Sequence, residues 1–227
     1  MASGLLRKYK HLCVLLLFFL HITKVRLPNF TKICQSFCMR KLTITLCLSF
    51  AVLLGSAGVV YADNLWSALK SDNHLVLIRH ALAPGYGDPD YFDVKDCETQ
   101  RNLHDEGRYQ SKKIGDLFRS NGIGKAVVYS SQWCRCLDTA RLLDLGEVSE
   151  LPSLNSFFQH LEKEQSQTEQ MMRWIQNAPL DTPTVLVSHQ VNITALTGYS
   201  PASGEIVFLR RSTDGSISVI GTNQTLN

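Results

Sequence analysis

The stretch LVLIRHALAPG, residues Leu75 to Gly85, is the part of the sequence that decides the fold. Its first four residues are apolar, as expected of a strand covered by helices on both faces, and such strands are typical of parallel sheets. Arg79 and His80 follow at the point where the strand ends. Because ligands of open α/β sheets bind at the carboxyl ends of strands, this pair predicts part of a binding site. The alternative is that Arg79 pairs with a surface carboxylate and His80 only caps the loop.

The charge of the chain is divided unevenly along its length. The chain has 227 residues and a formal net charge of +3. Residues 1–62 hold eight Lys and Arg and no acidic residue, which leaves fifteen basic and twenty acidic residues, a charge of −5, for residues 63–227. The excess of basic residues therefore lies in the leader, and it does not indicate a nucleic-acid partner for the rest of the chain.

A secretory signal is predicted from Met39 onward. The segment MRKLTITLCLSFAVLLGSAGVVYADN has a basic start, an apolar centre and a small-x-small site that ends at Ala62. A retained membrane anchor is the alternative, but Gly55, Ser56 and Gly58 interrupt the apolar run. We therefore expect an upstream extension before the true start over residues 1–38, a signal peptide over residues 39–62 and one exported domain over residues 63–227. This domain is expected to be periplasmic or secreted in a bacterium, without a stable membrane anchor after cleavage.

Three of the seven cysteines follow the leader, namely Cys97, Cys134 and Cys136. Disulfides form in exported proteins, so we expect Cys97 to pair with either Cys134 or Cys136 and one thiol to remain free. The alternative is a zinc site at the Cys-x-Cys pair, but a second Cys/His pair at the usual spacing is missing. The sequence therefore assigns no metal ligands.

Apolar strands alternate with amphipathic helices after the leader, which predicts an α/β domain. We expect a three-layer α/β/α sandwich with a mostly parallel central sheet and a late hairpin across the turn STDG. The strand TVLVSH delivers His189 just as LVLIRH delivers His80, and the strand AVVYSS runs on to Ser131 and Arg135. If these three strands are neighbours, one edge of the sheet collects two imidazoles, two guanidiniums and several hydroxyls.

That set of side chains predicts phosphate chemistry. Guanidinium groups match the geometry of phosphate oxygens, and a helix that starts directly after a strand adds backbone donors. A neutral imidazole can attack phosphorus and carry the phosphoryl group, while a second histidine stabilises the transition state. The sequence has no glycine-rich phosphate loop, no Mg²⁺-type carboxylate cluster and no nucleotide fingerprint. The residues therefore favour a covalent phosphohistidine route without metal or cofactor.

Four segments in this order resemble the histidine phosphatase superfamily, the phosphoglycerate mutase-like group. They are the strand end at Arg79-His80, NLHDEGRYQSKKIG (102–115), YSSQWCRCLDTARLL (129–143) and VLVSHQ (185–190). The resemblance spans residues 75–209 and implies the phosphoglycerate mutase-like fold. It also implies that His80 is the nucleophile, that Arg79 and Arg135 hold the phosphate, and that His189 completes the phosphate-binding pocket.

The chain departs from this family where a general acid is expected. Mutases and many phosphatases of the group carry a glutamate in the segment that corresponds to LPSLNSFF, where this chain has Ser156. Asp88 and Glu205 are the tentative candidates for the general acid. The simpler interpretation is that each carboxylate only solvates a loop or caps a helix.

The sequence thus predicts an exported, metal-independent phosphatase that hydrolyses a small phosphorylated substrate, with envelope sugar phosphates as one candidate class. Two alternatives stay open because the general acid is unassigned. The chain is then either a phospho-ligand-binding protein without turnover, or a phosphatase of phosphohistidine and other phosphoramidates, whose leaving groups need less help. A mutase ranks third, because mutases of the group carry the missing glutamate.

Overall fold

The computed structural model describes residues 65–225. The upstream extension predicted over residues 1–38 and the signal peptide predicted over residues 39–62 lie outside the described residues. The described part begins with helical residues 65–69 and contains four longer helices. These helices are α1 (Asp105–Ser120), α2 (Cys134–Leu142), α3 (Glu164–Asn177) and α4 (Gln190–Thr197).

A six-stranded sheet forms the centre of this part of the chain, with the strand order β3-β2-β4-β1-β5-β6. The first four strands in that order are parallel to one another, and β5 and β6 add an antiparallel hairpin at the β1 edge. The mostly parallel sheet and the late hairpin predicted from the sequence are confirmed. The strands are β1 (His74–Arg79), β2 (Val127–Ser130), β3 (Val148–Glu150), β4 (Thr184–Ser188), β5 (Ile206–Arg211) and β6 (Ile217–Asn223).

Helices cover both faces of the sheet, which explains the unbroken apolar run of β1. Leu75 and Leu77 pack against α3 and α4 through residues such as Met171 and Ile193. Val76 and Ile78 point to the opposite face, where they meet the helical residues 65–69, α1 and α2. Burying side chains of this size contributes about 1.5–3 kcal/mol each, so a strand that is apolar on both faces is strongly held between two helical layers. The α/β/α sandwich is confirmed.

Strand β3 was not predicted from the sequence. It has three residues, Val148 to Glu150, of which two are exposed and one is partly buried. Because it lies at the edge of the sheet beside β2, it needs neither a long apolar run nor a period of two. Its role is to extend the parallel part of the sheet by one strand.

Candidate active site

The carboxyl ends of the parallel strands form one edge of the sheet, and the predicted site residues meet there. Arg79 is paired with Ser188 across β1 and β4, and the His80 backbone N–H donates to the Ser188 carbonyl at 2.9 Å. The two histidines that follow these strands lie side by side, with 5.4 Å between the ring centroids of His80 and His189. Strand β2 ends on the other side of β4 and delivers Ser131 to the same edge.

A cavity of about 140 Å³ opens at this edge. All four residues that the sequence placed in the site line this cavity. Arg101, for which the sequence favoured a loop salt bridge over contact with a substrate, lines it as well. Of the two tentative acids, Asp88 lines the cavity and Glu205 does not. The lining residues are Arg79, His80, Ala83, Gly85, Tyr86, Gly87, Asp88, Arg101, Arg135, Ser156, Phe158, His189, Gln190 and Val191.

The ring of His80 is oriented by a backbone group. Its Nδ1 lies 2.8 Å from the Ala81 carbonyl oxygen, which only accepts hydrogen bonds. Nδ1 therefore carries the proton, and Nε2 keeps a lone pair. Burial, together with the positive charge of Arg135, holds the pKa of His80 well below its usual value of 6.5. A neutral imidazole with a free lone pair is the form that acts as a nucleophile.

The loop that follows His80 is fixed by α1 and α2. The Ala81 N–H donates to Oγ1 of Thr139 at 3.0 Å, and the Leu82 N–H donates to Oε1 of Gln110 at 3.0 Å. Helix α1 also approaches this loop closely at Gly107, where any Cβ would overlap the Leu82 carbonyl group. Gly107 and Gln110 of the segment 102–115 therefore hold the loop after His80 in place.

Arg135 forms a buried ion pair with Asp88. Its Nη1 and Nη2 donate to Oδ1 and Oδ2 of Asp88 at 2.7 and 3.1 Å, and both side chains are only 4% exposed. The same carboxylate accepts hydrogen bonds from Nε1 of Trp133 and from the backbone N–H of Arg101. Burial alone would raise the pKa of Asp88, but these donors and the charge of Arg135 outweigh it and lower the pKa below 3.8. Asp88 is therefore an ionised acceptor that positions Arg135, and this geometry does not favour it as a proton donor.

Glu205, the second tentative acid, is buried in its own network outside the cavity lining. Its carboxylate accepts a hydrogen bond from the Tyr199 hydroxyl at 2.6 Å and another from the Ala202 N–H at 2.8 Å. The backbone carbonyl of Glu205 accepts from the Arg79 N–H at 3.3 Å, so this residue supports the end of β1. The structure thus places Glu205 next to the site without directing its carboxylate into the cavity.

Three guanidinium groups give the cavity a positive charge. Arg79 donates through Nη1 to the Pro201 carbonyl, and Arg101 donates to the carbonyls of Ala83 and Gly87. The Nε–H groups of Arg79 and Arg135 are buried and have no hydrogen-bond partner among residues 65–225. Because Asp88 is the only carboxylate in the cavity lining, the lining has an excess of positive charge. Buried donors without partners and excess positive charge both fit a bound oxyanion.

His189 is oriented by side chains instead of the backbone. Its Nε2 lies 2.9 Å from Oγ of Ser131, and its Nδ1 lies 3.5 Å from Nη2 of Arg135. Burial and the nearby charge of Arg135 lower the pKa of His189 well below 6.5. The thiol of Cys136 lies 3.4 Å from Nε2, and burial raises its pKa to about 12, so it is a neutral neighbour of the ring.

The cysteines resolve the alternative that the sequence left open. Cys97 forms a disulfide with Cys134, and Cys136 is a free, buried thiol. The disulfide joins the loop that carries Asp88 and Arg101 to the first residue of α2, directly before Arg135. Within residues 65–225, no group of three or more His, Cys, Asp or Glu side chains is placed to hold a metal ion. Among the same residues, no helix is long and apolar enough to cross a membrane.

Sequence reasoning missed three contributors to the site. Arg101 lines the cavity. Oδ1 of Asn155 accepts a hydrogen bond at 3.2 Å from the Ser131 hydroxyl, which in turn contacts His189. Gln110 anchors the loop after His80. A signal was available only for Gln110, which stands in the segment 102–115, one of the four that resemble the family. Arg101 and Asn155 lie in loops whose path the sequence does not reveal.

Comparison with known proteins gives one match in sequence and several in structure. No family model matches the chain. A segment of 74 residues is 35% identical to the serine/threonine-protein phosphatase Pgam5, mitochondrial, of Drosophila virilis. This match covers 33% of the chain and only 23% of that relative, so the chain spans about a quarter of the length of the relative.

Three solved structures share the architecture. The protein histidine phosphatase SixA complexed with tungstate superposes with a TM-score of 0.51 at 16% identity, covering 67% of this chain and 97% of SixA. The product of the open reading frame Rv3214 from Mycobacterium tuberculosis gives 0.51 at 18%, covering 65% and 95%. An Escherichia coli protein provisionally assigned as an alpha-ribazole-5′-P phosphatase gives 0.51 at 17%, covering 68% and 98%. The fold that the four sequence motifs implied is thus confirmed, and the chain shares the phosphoglycerate mutase-like fold of these structures.

Proposed function

We propose that this protein is a metal-independent phosphatase that hydrolyses phosphomonoesters through a phosphohistidine on His80. The observation that carries the proposal is the state of His80 in the cavity. Its Nδ1 proton is held by the Ala81 carbonyl, its Nε2 lone pair is free, and its low pKa keeps it neutral. A nucleophile of this kind, beside three arginines, has the two things that phosphoryl transfer needs, namely position and charge neutralisation.

The reaction then takes two steps. Nε2 of His80 attacks phosphorus while the arginines hold the phosphate oxygens, and the leaving group departs. Water next attacks the phosphohistidine, and the P–N electron pair returns to Nε2. The proton that remains on Nδ1 makes the phosphorylated imidazole a good leaving group in this second step, so the Ala81 carbonyl serves both halves of the reaction.

The comparisons support a small phosphorylated substrate. SixA was solved with tungstate, a tetrahedral oxyanion like phosphate. The Escherichia coli protein with the same fold is provisionally assigned as a phosphatase of alpha-ribazole-5′-P. The cavity of about 140 Å³ is large enough for a phosphate group and leaves the rest of the substrate at its mouth. Envelope sugar phosphates stay a candidate class on the strength of the predicted export.

A second candidate function is hydrolysis of phosphohistidine and other phosphoramidates. The observation that favours it is the ion pair of Asp88, because the only carboxylate of the cavity lining is ionised and fully engaged with donors. An enzyme without a carboxylic acid in the cavity works best on substrates whose leaving groups need little protonation. The rate of phosphate release from phosphoramidate, compared with the rate from an alkyl phosphate, distinguishes this function from the first.

Export is part of the proposal. The signal predicted over residues 39–62 would deliver the domain to the periplasm or the medium. The disulfide between Cys97 and Cys134 supports this location, because disulfides persist in oxidising compartments. N-terminal sequencing of the protein made from its native locus tests both the start and the cleavage site, and a chain that retains residues 1–38 would contradict the proposed start.

The test of activity is phosphate release from p-nitrophenyl phosphate in the presence of EDTA. We expect release that His80→Ala abolishes and that His160→Ala preserves. His160 is the matched control because its side chain is 60% exposed and lies outside the cavity lining. If the unmutated protein binds inorganic phosphate but releases none from p-nitrophenyl phosphate or phosphoramidate, the protein is a phospho-ligand-binding protein.

A further inference from the structure

A chain of hydrogen bonds runs from His189 away from the cavity. We call His189, Ser131 and Asn155 the His189 relay. Ser131 follows β2 directly, is fully buried, and lies 2.9 Å from Nε2 of His189. Oδ1 of Asn155 lies 3.2 Å from Oγ of Ser131, and Asn155 directly follows the short helical turn Pro152–Leu154. Asn155 is itself anchored, since its carbonyl accepts hydrogen bonds from Asn192 and Gln167.

One fixed donor beside the relay indicates how its protons are arranged. The backbone N–H of Gln132 can only donate, and it lies 2.9 Å from Oδ1 of Asn155, which fixes that oxygen as an acceptor. The Ser131 hydroxyl, 3.2 Å from the same oxygen, is placed to donate to it. The two lone pairs of the Ser131 oxygen then accept hydrogen bonds from the backbone N–H of Trp133, at 3.3 Å, and from Nε2 of His189. Nε2 consequently carries the proton of His189.

The other ring nitrogen faces the cavity without a proton. Nδ1 of His189 lies 3.5 Å from Nη2 of Arg135, a group that can only donate. Burial and the nearby cationic groups keep Nδ1 unprotonated in the empty site, and a bound phosphate would offset their effect; the anionic Asp88 of the lining is paired with Arg135. The other charged or titratable groups around the ring are His80, Arg79, Arg101, Arg135 and the Cys136 thiol.

We propose that Ser131 and Asn155 are positioning residues that hold the proton of His189 on Nε2, so that Nδ1 can carry a proton between substrate, leaving group and water. This inference rests on the proposed phosphatase activity. It provides the general acid that the sequence could not assign, because the proton comes from His189 and not from a carboxylate.

The protons balance in both steps. The monoester enters as a monoanion, and its P–OH proton passes to Nδ1 of His189. Nε2 of His80 forms the P–N bond, the P–O bond breaks, its electron pair goes to the leaving oxygen, and Nδ1 returns the proton to that oxygen. In the second step water forms the new P–O bond, its proton passes to Nδ1, and the P–N electron pair returns to His80. The proton on Nδ1 then leaves with the product phosphate.

The first test measures the tautomer directly. Long-range ¹H–¹⁵N correlation spectra of the phosphate-free protein with ¹⁵N-labelled histidine report which ring nitrogen is protonated, and His189→Gln assigns the resonance. We expect a protonated Nε2 and an unprotonated Nδ1 for His189. A proton on Nδ1, or an even mixture of the two tautomers, would overturn the relay. This measurement needs no relay variant to fold.

The second test compares two neighbouring serines. Ser131→Ala removes the relay, whereas Ser130→Ala removes a hydroxyl that is equally buried and donates to the Ser131 carbonyl at 2.8 Å without a contact to His189. We expect Ser131→Ala to lower kcat about 100-fold with an alkyl phosphate but less than about 10-fold with p-nitrophenyl phosphate, because only the poorer leaving group needs the proton. Ser130→Ala should lower kcat equally for both substrates, if at all.

The outcomes separate the inference from the proposed function. If the unmutated protein releases phosphate and Ser131→Ala loses the same factor on both substrates, the proton transfer through His189 is wrong and the phosphatase stands. If the unmutated protein releases no phosphate from either substrate, the proposed function fails and the proton transfer fails with it. The tautomer of His189 then still decides whether the relay orients the ring.

Discussion

The two histidine-bearing strand ends look alike in sequence but differ in what holds the ring. At the end of β1, the Ala81 carbonyl accepts a hydrogen bond from Nδ1–H of His80 and leaves Nε2 free. At the end of β4, the Ser131 hydroxyl lies against Nε2 of His189 and leaves Nδ1 toward the cavity. The two rings, 5.4 Å apart, therefore present opposite nitrogens to the same space.

This difference indicates two distinct chemical roles. A contact with the adjacent backbone carbonyl is built into the local chain path, so the orientation of His80 does not depend on the identity of a distant side chain. The orientation of His189 depends on side chains from two other segments, and it can be altered by mutation without touching the ring. We therefore expect His80 to serve as the nucleophile and His189 to move protons.

The largest effect is expected from removing each ring in turn. His80→Ala should lower kcat/KM by on the order of 10⁴-fold or more, since no other group replaces the nucleophile. His189→Ala should cost roughly 10²–10³-fold, because the nucleophile and arginines remain. Steady-state rates with p-nitrophenyl phosphate, beside acid-quenched trapping of the phosphorylated protein, measure both. Equal losses for the two variants, with the phosphoryl group still trapped on His80→Ala, would reverse the assignment of roles.

The next largest effect is expected on stability, at two arginine–aspartate pairs that each include a residue of α2, namely Arg135–Asp88 and Arg108–Asp138. Asp88→Asn should lower the free energy of unfolding by about 3 kcal/mol, because it leaves the buried Arg135 without its counter-charge. The matched control is Asp138→Asn, which breaks a pair with Arg108 whose side chains are 27% and 45% exposed. Exposed pairs contribute under about 1 kcal/mol. Urea unfolding of both variants checks the contrast, and losses of equal size would show that Arg135 does not need Asp88 for stability.

The sequence predicted the site residues better than it predicted the partners that hold them in place. Strand ends, both histidines and Arg135 could be predicted, because a buried parallel strand that stops at a polar residue is a local pattern. The partners of these residues could not be predicted, because they depend on the paths of loops. Asp88 lies 47 residues from Arg135 in the chain and Asn155 lies 24 residues from Ser131, so only the fold shows that they meet. The short edge strand β3 escaped prediction because it has no apolar period.

The dependence of the free energy of unfolding on pH below neutrality tests the two histidines further. Both rings have pKa values well below 6.5 in the folded protein, so below pH 6.5 the unfolded chain binds more protons than the folded one. Stability should therefore fall as the pH is lowered from 7 to 5, by up to about 1.4 kcal/mol per pH unit for each histidine. Asp88 acts in a lower window, because its lowered pKa keeps its contribution intact until the pH falls below about 4.

Urea unfolding between pH 5 and pH 8 measures this slope. His80→Gln and His189→Gln should each reduce it relative to the control variant His160→Gln, whose side chain is 60% exposed and lies outside the cavity lining. A slope that is the same in all three variants would mean that neither buried ring titrates differently on unfolding.

The smallest effect is expected at Glu205, and it decides whether a carboxylate competes with His189 as the proton donor. The Tyr199 hydroxyl and the Ala202 N–H engage both oxygens of Glu205, a residue that is only 1% exposed. Glu205→Gln should change kcat by less than about threefold, under 1 kcal/mol in the barrier, with alkyl and p-nitrophenyl phosphates alike. A loss confined to the alkyl phosphate would instead make Glu205 the donor. The contrast between the two strand ends would then reduce to one nucleophile and one phosphate ligand, because His189 would no longer need a free Nδ1.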